Sequence, residues 1–513
     1  MRRKCLLLTL SEHAENDRLF GRDTEYNSWR LTNSAEESMS TRNPQASSTF
    51  YRMMESRGGG TLIDSFMIKR PSVSQRMAGG KALRKQVPRA AQAVYDQRAD
   101  RPDPIEILER QNATRVRKLV PVRYSRMLAN PFAFLRGSAA IMASDSSALP
   151  VSGTYVAACG DAHVKNFGVY ASAERNLIFS INDFDEVYVG PWEWDLKRLA
   201  TSAAVATQFM GGDKVQCEQA AREAARFYRK RIRGYAETGY LEVWHDRIDE
   251  RAVLESLAPR ERRIASDIID KVRHIRPLEK LTEPVNGSHR FIEDVPLIVR
   301  ETRSESGTSI KLMLDRFLRA YVESLDYDRK VLLSRYQIVD FVRKVVGVGS
   351  VGTRCWVLLL QGTDADDPLF LQVKEAQASV LEPYVGLKLP FGHHGRRVVF
   401  GQRLTQGSPD IFLGWGRVDE KDYYIRQLAD FKGGVDFNNL GTFHDYCGLC
   451  GWALALAHAK SGDPATIAGY CGTSEALDEA IAKFAMRYAR QNERDYDALV
   501  KAKRNGRIKA AAE

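Results

Sequence analysis

The 513-residue chain has no run of about 18 apolar residues, the length a helix needs to span a membrane. Its basic opening, MRRKCLLLTL, loses its apolar character at Leu10, where SEHAEND follows, too soon for a secretory leader. Cysteine is scarce. The seven thiols are odd in number and scattered, which excludes a disulfide framework and fits the reducing cytoplasm. Cys447 and Cys450 form a C-x-x-C with His444 close by, but no second pair has matching spacing, so a four-ligand zinc site is excluded and buried thiols are expected. Acidic residues are in deficit, 65 against 76 basic ones, for a net charge of +11. Met1 to Asp100 holds 17 Lys and Arg against 11 Asp and Glu, so much of the excess sits there. That balance singles out no nucleic acid, because a mildly basic surface that attracts anionic nucleotides accounts for it equally. Neither a membrane nor a specific nucleic acid is an expected partner.

The stretch from Met1 to about Gly80 also lacks any sustained period. It is rich in Ser, Thr, Asn, Arg and Gly, and residues 1–80 are expected to be a disordered or extended, dispensable segment. From Pro102 the pattern tightens. DPIEILERQNATRVRKLVPVRYSRML has apolar positions at helical spacing, and FAFLRGSAAIMA reads as a buried element. Arg136 within it is placed to touch phosphate, although a structural ion pair is its expected role.

The chemistry concentrates between Cys159 and Ser202. Phe167–Tyr170 and Leu177–Ile181 read as two short strands around a turn, so Asn166 and Asp183 fall side by side at one end of a hairpin. An amide oxygen and a carboxylate there suit a hard divalent cation such as Mg, and Asp185 is a further candidate ligand. Asp161, five residues before Asn166, is placed like a base that takes a proton from a hydroxyl. Lys165 offers charge to a transferred phosphoryl group. His163 is read first as a structural hydrogen-bonding residue. Pro191 suits a helix start, with Glu193 and Asp195 in the first turn, and Trp192 and Trp194 read as packing.

A second nucleotide signature lies far downstream. Gly347-Val348-Gly349-Ser350-Val351-Gly352 is G-x-G-x-x-G, weak by itself. In a dinucleotide fold its last glycine opens a helix. Here TRCWVLLLQG follows, an apolar strand pattern, and VDFVRKVV precedes. LFLQVKEA then ends near Lys374. Strand, glycine turn, strand and lysine is the arrangement in which a loop covers phosphates and a lysine pairs with them.

The hairpin resembles the catalytic loop and metal-binding aspartate of aminoglycoside and choline kinases more than the H-R-D of protein kinases. From about Arg101 to Ile508 the chain also resembles the bacterial "domain of unknown function 2252" family, on NPFAFLRGSAAIMASD, GDAHVKNFG, NDFDEVYVGPWEWDLKRLA, VVGVGSVGTRCW, LQVKEA and DIFLGW. The resemblance implies an α+β, protein-kinase-like, two-lobed fold. Because the glycine turn follows the catalytic loop, circular permutation is expected. Residues 101–211 would carry the catalytic loop, 212–335 a mainly helical insertion, 336–430 the nucleotide-binding part and 431–508 closing helices. The resemblance also implies that Asp195 holds the catalytic loop's backbone. The lysine-pairing glutamate is unassigned; Glu375 and Glu382 are candidates, and Phe400 stands in the helical stretch RRVVFGQRLTQ, which holds no glutamate.

The expected activity is ATP- and Mg-dependent phosphoryl transfer to a hydroxyl of a small molecule. Asp161 and Lys165 would be catalytic, Asn166, Asp183 and Asp185 would hold Mg, and Gly347, Gly349, Ser350, Gly352 and Lys374 would hold ATP. The alternatives are a nucleotide-binding pseudokinase, adenylyl transfer with the nucleotide reversed, and a two-metal phosphoesterase suggested by Asp161-Ala162-His163. The last lacks downstream G-D-x-x-D and G-N-H ligand motifs.

Overall fold

The computed structural model describes residues 66–67, 69–257, 259–273, 277–303, 307–386, 389–428 and 440–511. Most of the segment expected to be unstructured, 1–65 and residue 68, lies outside these. Its described end is different from expectation. Ser72 and Gln75 form a capping box that starts the helix Val73–Leu83, which packs on the helix Pro464–Cys471. A Cβ at Gly80 would stand 2.0 Å from the Thr466 carbonyl oxygen, and one at Gly469 would stand 2.1 Å from that of Met77. Glycine backbones make this contact, which apolar periodicity does not register.

The chain is α+β. Its first strands are β1 (Tyr155–Ala158), β2 (Phe167–Ala171), β3 (Leu177–Ile181), β4 (Tyr188–Pro191) and β5 (Ile248–Asp249). β2 and β3 form the expected antiparallel hairpin, with Phe167 opposite Ile181 and Ala171 opposite Leu177. β1 pairs with β4, so the residues between Ala158 and Tyr188 return to one place. A small hairpin follows, β6 (Thr282–Val285) and β7 (Ser288–Phe291). Then β8 (Ile298–Val299), β9 (Gln337–Lys344), β10 (Cys355–Gln361), β11 (Pro368–Ala376), β12 (Gly414–Val418) and β13 (Lys421–Gln427) form a six-stranded sheet ordered β12-β13-β11-β10-β9-β8. Every pairing in it is antiparallel.

Alternation sorts the faces of that sheet. Trp356, Leu358 and Leu360 of β10 and Leu369, Leu371 and Val373 of β11 pack with Phe317 and Tyr321 of the helix Ile310–Glu323. The intervening residues of β11 and β13 therefore face the other way; beyond Phe370 they include the polar Gln372, Lys374, Tyr424 and Arg426. Their register is direct, with Lys374 opposite Tyr424 and Gln372 opposite Arg426.

The helical body is built on Trp192–Phe209, which is buried on every side from Trp192 to Thr207. The helices Lys214–Glu237, Leu440–Ser461 and Ala476–Arg504 surround it. This corrects the reading of 212–335 as one inserted block. Lys214–Glu237 belongs to the central body, Ile310–Glu323 covers the sheet, and β8 is a strand of that sheet. Charge interleaved at helical spacing looks alike in all of these helices, so composition does not tell an insertion from a core helix.

Two glycines give opposite expectations. A Cβ at Gly451 would lie 2.1 Å from the backbone carbonyl oxygen of Ala224 on the facing helix, whereas one at exposed Gly234 meets nothing. Gly451→Ala is expected to cost about 1–3 kcal/mol by forcing those helices apart. Gly234→Ala is expected to stabilise by about 0.5–1 kcal/mol through helix propensity. Thermal denaturation of both variants checks the pair; a Gly451→Ala protein as stable as Gly234→Ala would contradict this packing.

Candidate active site

The loop from Cys159 to Asn166 leaves β1 through Gly160, whose φ of +75° only glycine adopts freely. Asp195 fixes this loop from below. Its two carboxylate oxygens accept the amides of Gly160 at 2.9 Å and Cys159 at 2.5 Å. His458 Nε2 lies 3.2 Å from the same carboxylate, and Tyr228 Oη lies 2.9 Å from His458 Nδ1. Tyr228 in turn stacks on Trp192 with ring centroids 5.5 Å apart. Asp195 thus sits where the resemblance implied, holding backbone outside the cavity, and Trp192 and Trp194 are core residues.

Asp161 lies at the wall of a cavity of about 990 Å³. Its Oδ1 accepts from Arg198, at 2.7 Å from Nε and 2.5 Å from a terminal nitrogen. Its Oδ2 lies 3.7 Å from His163 Nε2. His163 is buried, and burial holds its imidazole neutral down to about pH 4, with Asp161 opposing. Asn166 is also buried; its amide donates to the carbonyls of Asp183 at 3.0 Å and Asp161 at 3.1 Å. That fixes the side chain's rotation, and Oδ1 accepts no hydrogen bond among the described residues. Lys165 is exposed at the cavity rim.

Across the cavity, β11 delivers Lys374. The amine is buried and donates to both carboxylates after β3, at 3.2 Å to Asp183 and 2.5 Å to Asp185. Burial works to lower its pKa, but Asp183 and Asp185 outweigh it and hold the amine well above its ordinary value. Tyr424 donates to the other oxygen of Asp185 at 2.5 Å, and burial followed by that carboxylate pushes its phenol far up. Arg426 donates to Gln372 at 3.0 Å and to the Asn182 carbonyl at 2.7 Å. Two carboxylates 189 and 191 positions away in sequence thus meet one lysine.

The glycine turn joins β9 to β10, and no helix begins at Gly352. Gly347 and Gly352 have positive φ, +64° and +92°. Arg126 donates to the Gly347 carbonyl and Arg115 to that of Val351, each at 2.5 Å. Gly347, Gly349 and Ser350 line the cavity, and Ser350 Oγ lies 3.4 Å from Asp185. Gly352 does not join them. It packs against the Arg115 side chain, and its carbonyl accepts from Val116, so its role is to fasten the turn.

Neither candidate glutamate reaches Lys374. Glu375 pairs with Arg354 at 3.1 Å, because the residue after Lys374 on a strand faces the opposite side. Glu382 has one buried oxygen without a partner. The helix His394–Thr405, which holds Phe400, contributes an arginine instead: buried Arg397 donates to the carbonyls of Asp185, Val187 and Gln377 and fixes the backbone after the aspartates. Arg136 makes no ion pair among the described residues, contrary to expectation. Cys447 and Cys450 are buried thiols, as expected, and burial raises the pKa of both. Arg229 of the helix Lys214–Glu237 forms a buried pair with Asp478.

Arg198, Tyr424, Arg426 and Arg397 were not singled out from the sequence. The signal for two of them was present, since DYYIRQ alternates Tyr423 and Ile425 with Tyr424 and Arg426 on the face shared with Lys374. Among the described residues no group of three or more His, Cys, Asp or Glu is arranged to hold a metal ion. Two carboxylates and an amide oxygen fit a cation that keeps waters and takes its remaining ligands from phosphates.

The chain matches the family model described as "Uncharacterized protein conserved in bacteria (DUF2252)" over residues 115–502, and it belongs to that family. The matched span contains the hairpin, the glycine turn, Lys374 and Asp195. No curated protein and no solved structure matches the chain. No helix among the described residues is long and apolar enough to cross a membrane.

His163 carries a pH expectation. An unfolded imidazole takes up a proton near pH 6.5, whereas the folded one resists until about pH 4. Its contribution to stability is complete above about pH 6.5 and is lost as pH falls toward 4. The stability difference between wild type and His163→Asn is expected to shrink by on the order of 2–3 kcal/mol between about pH 7 and pH 4.5. Urea denaturation at the two pH values measures it, and a constant difference would show that the buried ring does not resist protonation.

Proposed function

We propose that this protein is an ATP- and Mg-dependent phosphotransferase with a circularly permuted, kinase-like, two-lobed arrangement, acting on a hydroxyl of a small molecule. The observation that carries the proposal is Lys374. A buried lysine on a sheet strand, beneath a glycine turn, pairs with Asp183 and Asp185 at the end of the hairpin that also positions Asn166 and Asp161. A triphosphate in this cavity would meet the turn on one side and the hairpin on the other.

Lys374 is the residue that changes partners. With the carboxylates engaged elsewhere, its amine is released to the phosphates, and Tyr424 keeps Asp185 oriented meanwhile. Asn166 and Asp183, with Asp185, would hold Mg, which would offset negative charge on the phosphates. Arg198 occupies Asp161 Oδ1, leaving Oδ2 for the acceptor hydroxyl. The acceptor O–H bond breaks with its proton passing to Oδ2. The acceptor oxygen forms a bond to the γ-phosphorus, and the bond from that phosphorus to the bridging oxygen breaks with its electron pair staying on ADP. Lys165 at the rim would offset charge on the moving group.

A second reading, a nucleotide-binding pseudokinase, draws support from Lys374 having no glutamate as an ion-pair partner among the described residues. Adenylyl transfer would use the same groups with the nucleotide turned around. The phosphoesterase reading loses support, because His163 is buried against Asp161 and no carboxylate–histidine metal cluster exists among the described residues.

ATP labelled separately on the α- and γ-phosphates, incubated with the purified protein, Mg and a pool of small metabolites, separates these readings. Transfer of γ-label supports the proposal, transfer of α-label favours adenylylation, and binding without transfer favours the pseudokinase. Asp161→Asn is expected to lower turnover by about 10²–10⁴-fold with little change in nucleotide affinity. Asp183→Asn is expected to weaken Mg-dependent nucleotide binding itself. Equal turnover by Asp161→Asn and wild type would remove Asp161 as the base.

A further inference from the structure

One wall of the cavity carries three arginines that make no ion pair among the described residues. Arg115, Arg123 and Arg136 all line it. Buried Arg115 donates to the Val351 carbonyl; buried Arg123 donates to Gln111, Asn112 and the Gly137 carbonyl. Those partners are neutral, and both arginines hold structure in place. Arg136, at the end of the helix Pro131–Gly137, differs from them. It makes no hydrogen bond and no ion pair among the described residues, and its Nε is buried without a partner. Its terminal nitrogens remain open to the cavity with no protein partner among the described residues, so an anion there would meet a guanidinium fork that no other group holds.

Its location says which ligand that anion belongs to. Lys374, the glycine turn and Arg426 lie on the sheet side with Asp183 and Asp185. The backbone of Arg136 borders the turn at Gly349, while the carboxylate that acts on its side-chain charge is Asp161. Asp161 already pairs with Arg198, and Arg136 has no carboxylate of its own among the described residues. We propose that the acceptor is itself an anion, a hydroxyl compound bearing a phosphate or carboxylate group that Arg136 binds while Asp161 faces the hydroxyl. This rests on the phosphotransferase reading and names its substrate class.

The test titrates inorganic phosphate, and in parallel lactate, into protein saturated with Mg and the β,γ-imido analogue of ATP, which fills the γ-phosphate position. Wild type is expected to bind one of these anions, and the tighter one names the group on the acceptor. Arg136→Gln is expected to weaken that binding by about 10- to 100-fold, with a much smaller change for the nucleotide analogue. Arg136→Lys, which keeps the charge and loses the fork, is expected to fall between them and guards against a folding defect. No anion binding by the loaded wild type, equal binding by wild type and Arg136→Gln, or an equal loss for analogue and anion would overturn the proposal; the last would assign Arg136 to the γ-phosphate. If the analogue does not bind wild type, the phosphotransferase reading falls instead. The same titration on the nucleotide-free proteins then decides the anion site, with loss in Arg136→Gln supporting it and equal binding overturning it.

Discussion

A buried ammonium between two carboxylates is the interaction on which the site depends. Taking Lys374 out of water is unfavourable unless its charge is matched, and the match comes from a hairpin distant in sequence. Each partner is secured in turn: Asp185 by Tyr424, its backbone by Arg397, and the Asn182 carbonyl by Arg426. The pair therefore acts as a tie between the six-stranded sheet and the hairpin, as well as a reserve of charge for a ligand. Removing either carboxylate would leave the buried ammonium less fully matched, so the tie constrains the geometry as well as the chemistry.

The support beneath the hairpin uses a different principle. Asp195 spends both oxygens on two consecutive amides, and the line continues through His458 and Tyr228 to Trp192 without an exposed member. A loop that must present Asp161 and Asn166 cannot rely on its own short length for rigidity. It takes rigidity from the helix Trp192–Phe209, which is enclosed by its neighbours and has little freedom to shift.

Much of this was legible in the sequence where local pattern decides the outcome. The β2–β3 hairpin, the strand–turn–strand at Gly347–Gly352 and the strand carrying Lys374 all follow from alternation and glycine placement. Other features depend on encounters between distant segments. Arg198 reads as one more charge on a helix until the loop bearing Asp161 is brought to it, and Arg397 sits in the stretch RRVVFGQRLTQ, which was read only for the glutamate it lacks. The ordered helix at Val73–Leu83 escaped notice because its contact is made by glycines. The boundaries of the supposed insertion failed because a helix of the central body and a helix on the sheet share the same periodicity. Gly352 matches the motif as well as Gly347 does, yet a motif does not say which glycine meets a ligand and which one turns the chain.

The chain order of the lysine and its aspartates also has a consequence for biosynthesis. The hairpin leaves the ribosome 191 residues ahead of Lys374. At about 5–20 residues per second this is a delay of roughly 10–40 s, during which Asp183 and Asp185 lack their counter-charge. The nascent chain can assemble the hairpin and the helix beneath it, yet the two carboxylates repel one another until β11 emerges. Completion of the site is thus a late event in synthesis. The helix Val73–Leu83 waits longer still for Pro464–Cys471, so closure of the body and completion of the site both belong to the last part of translation.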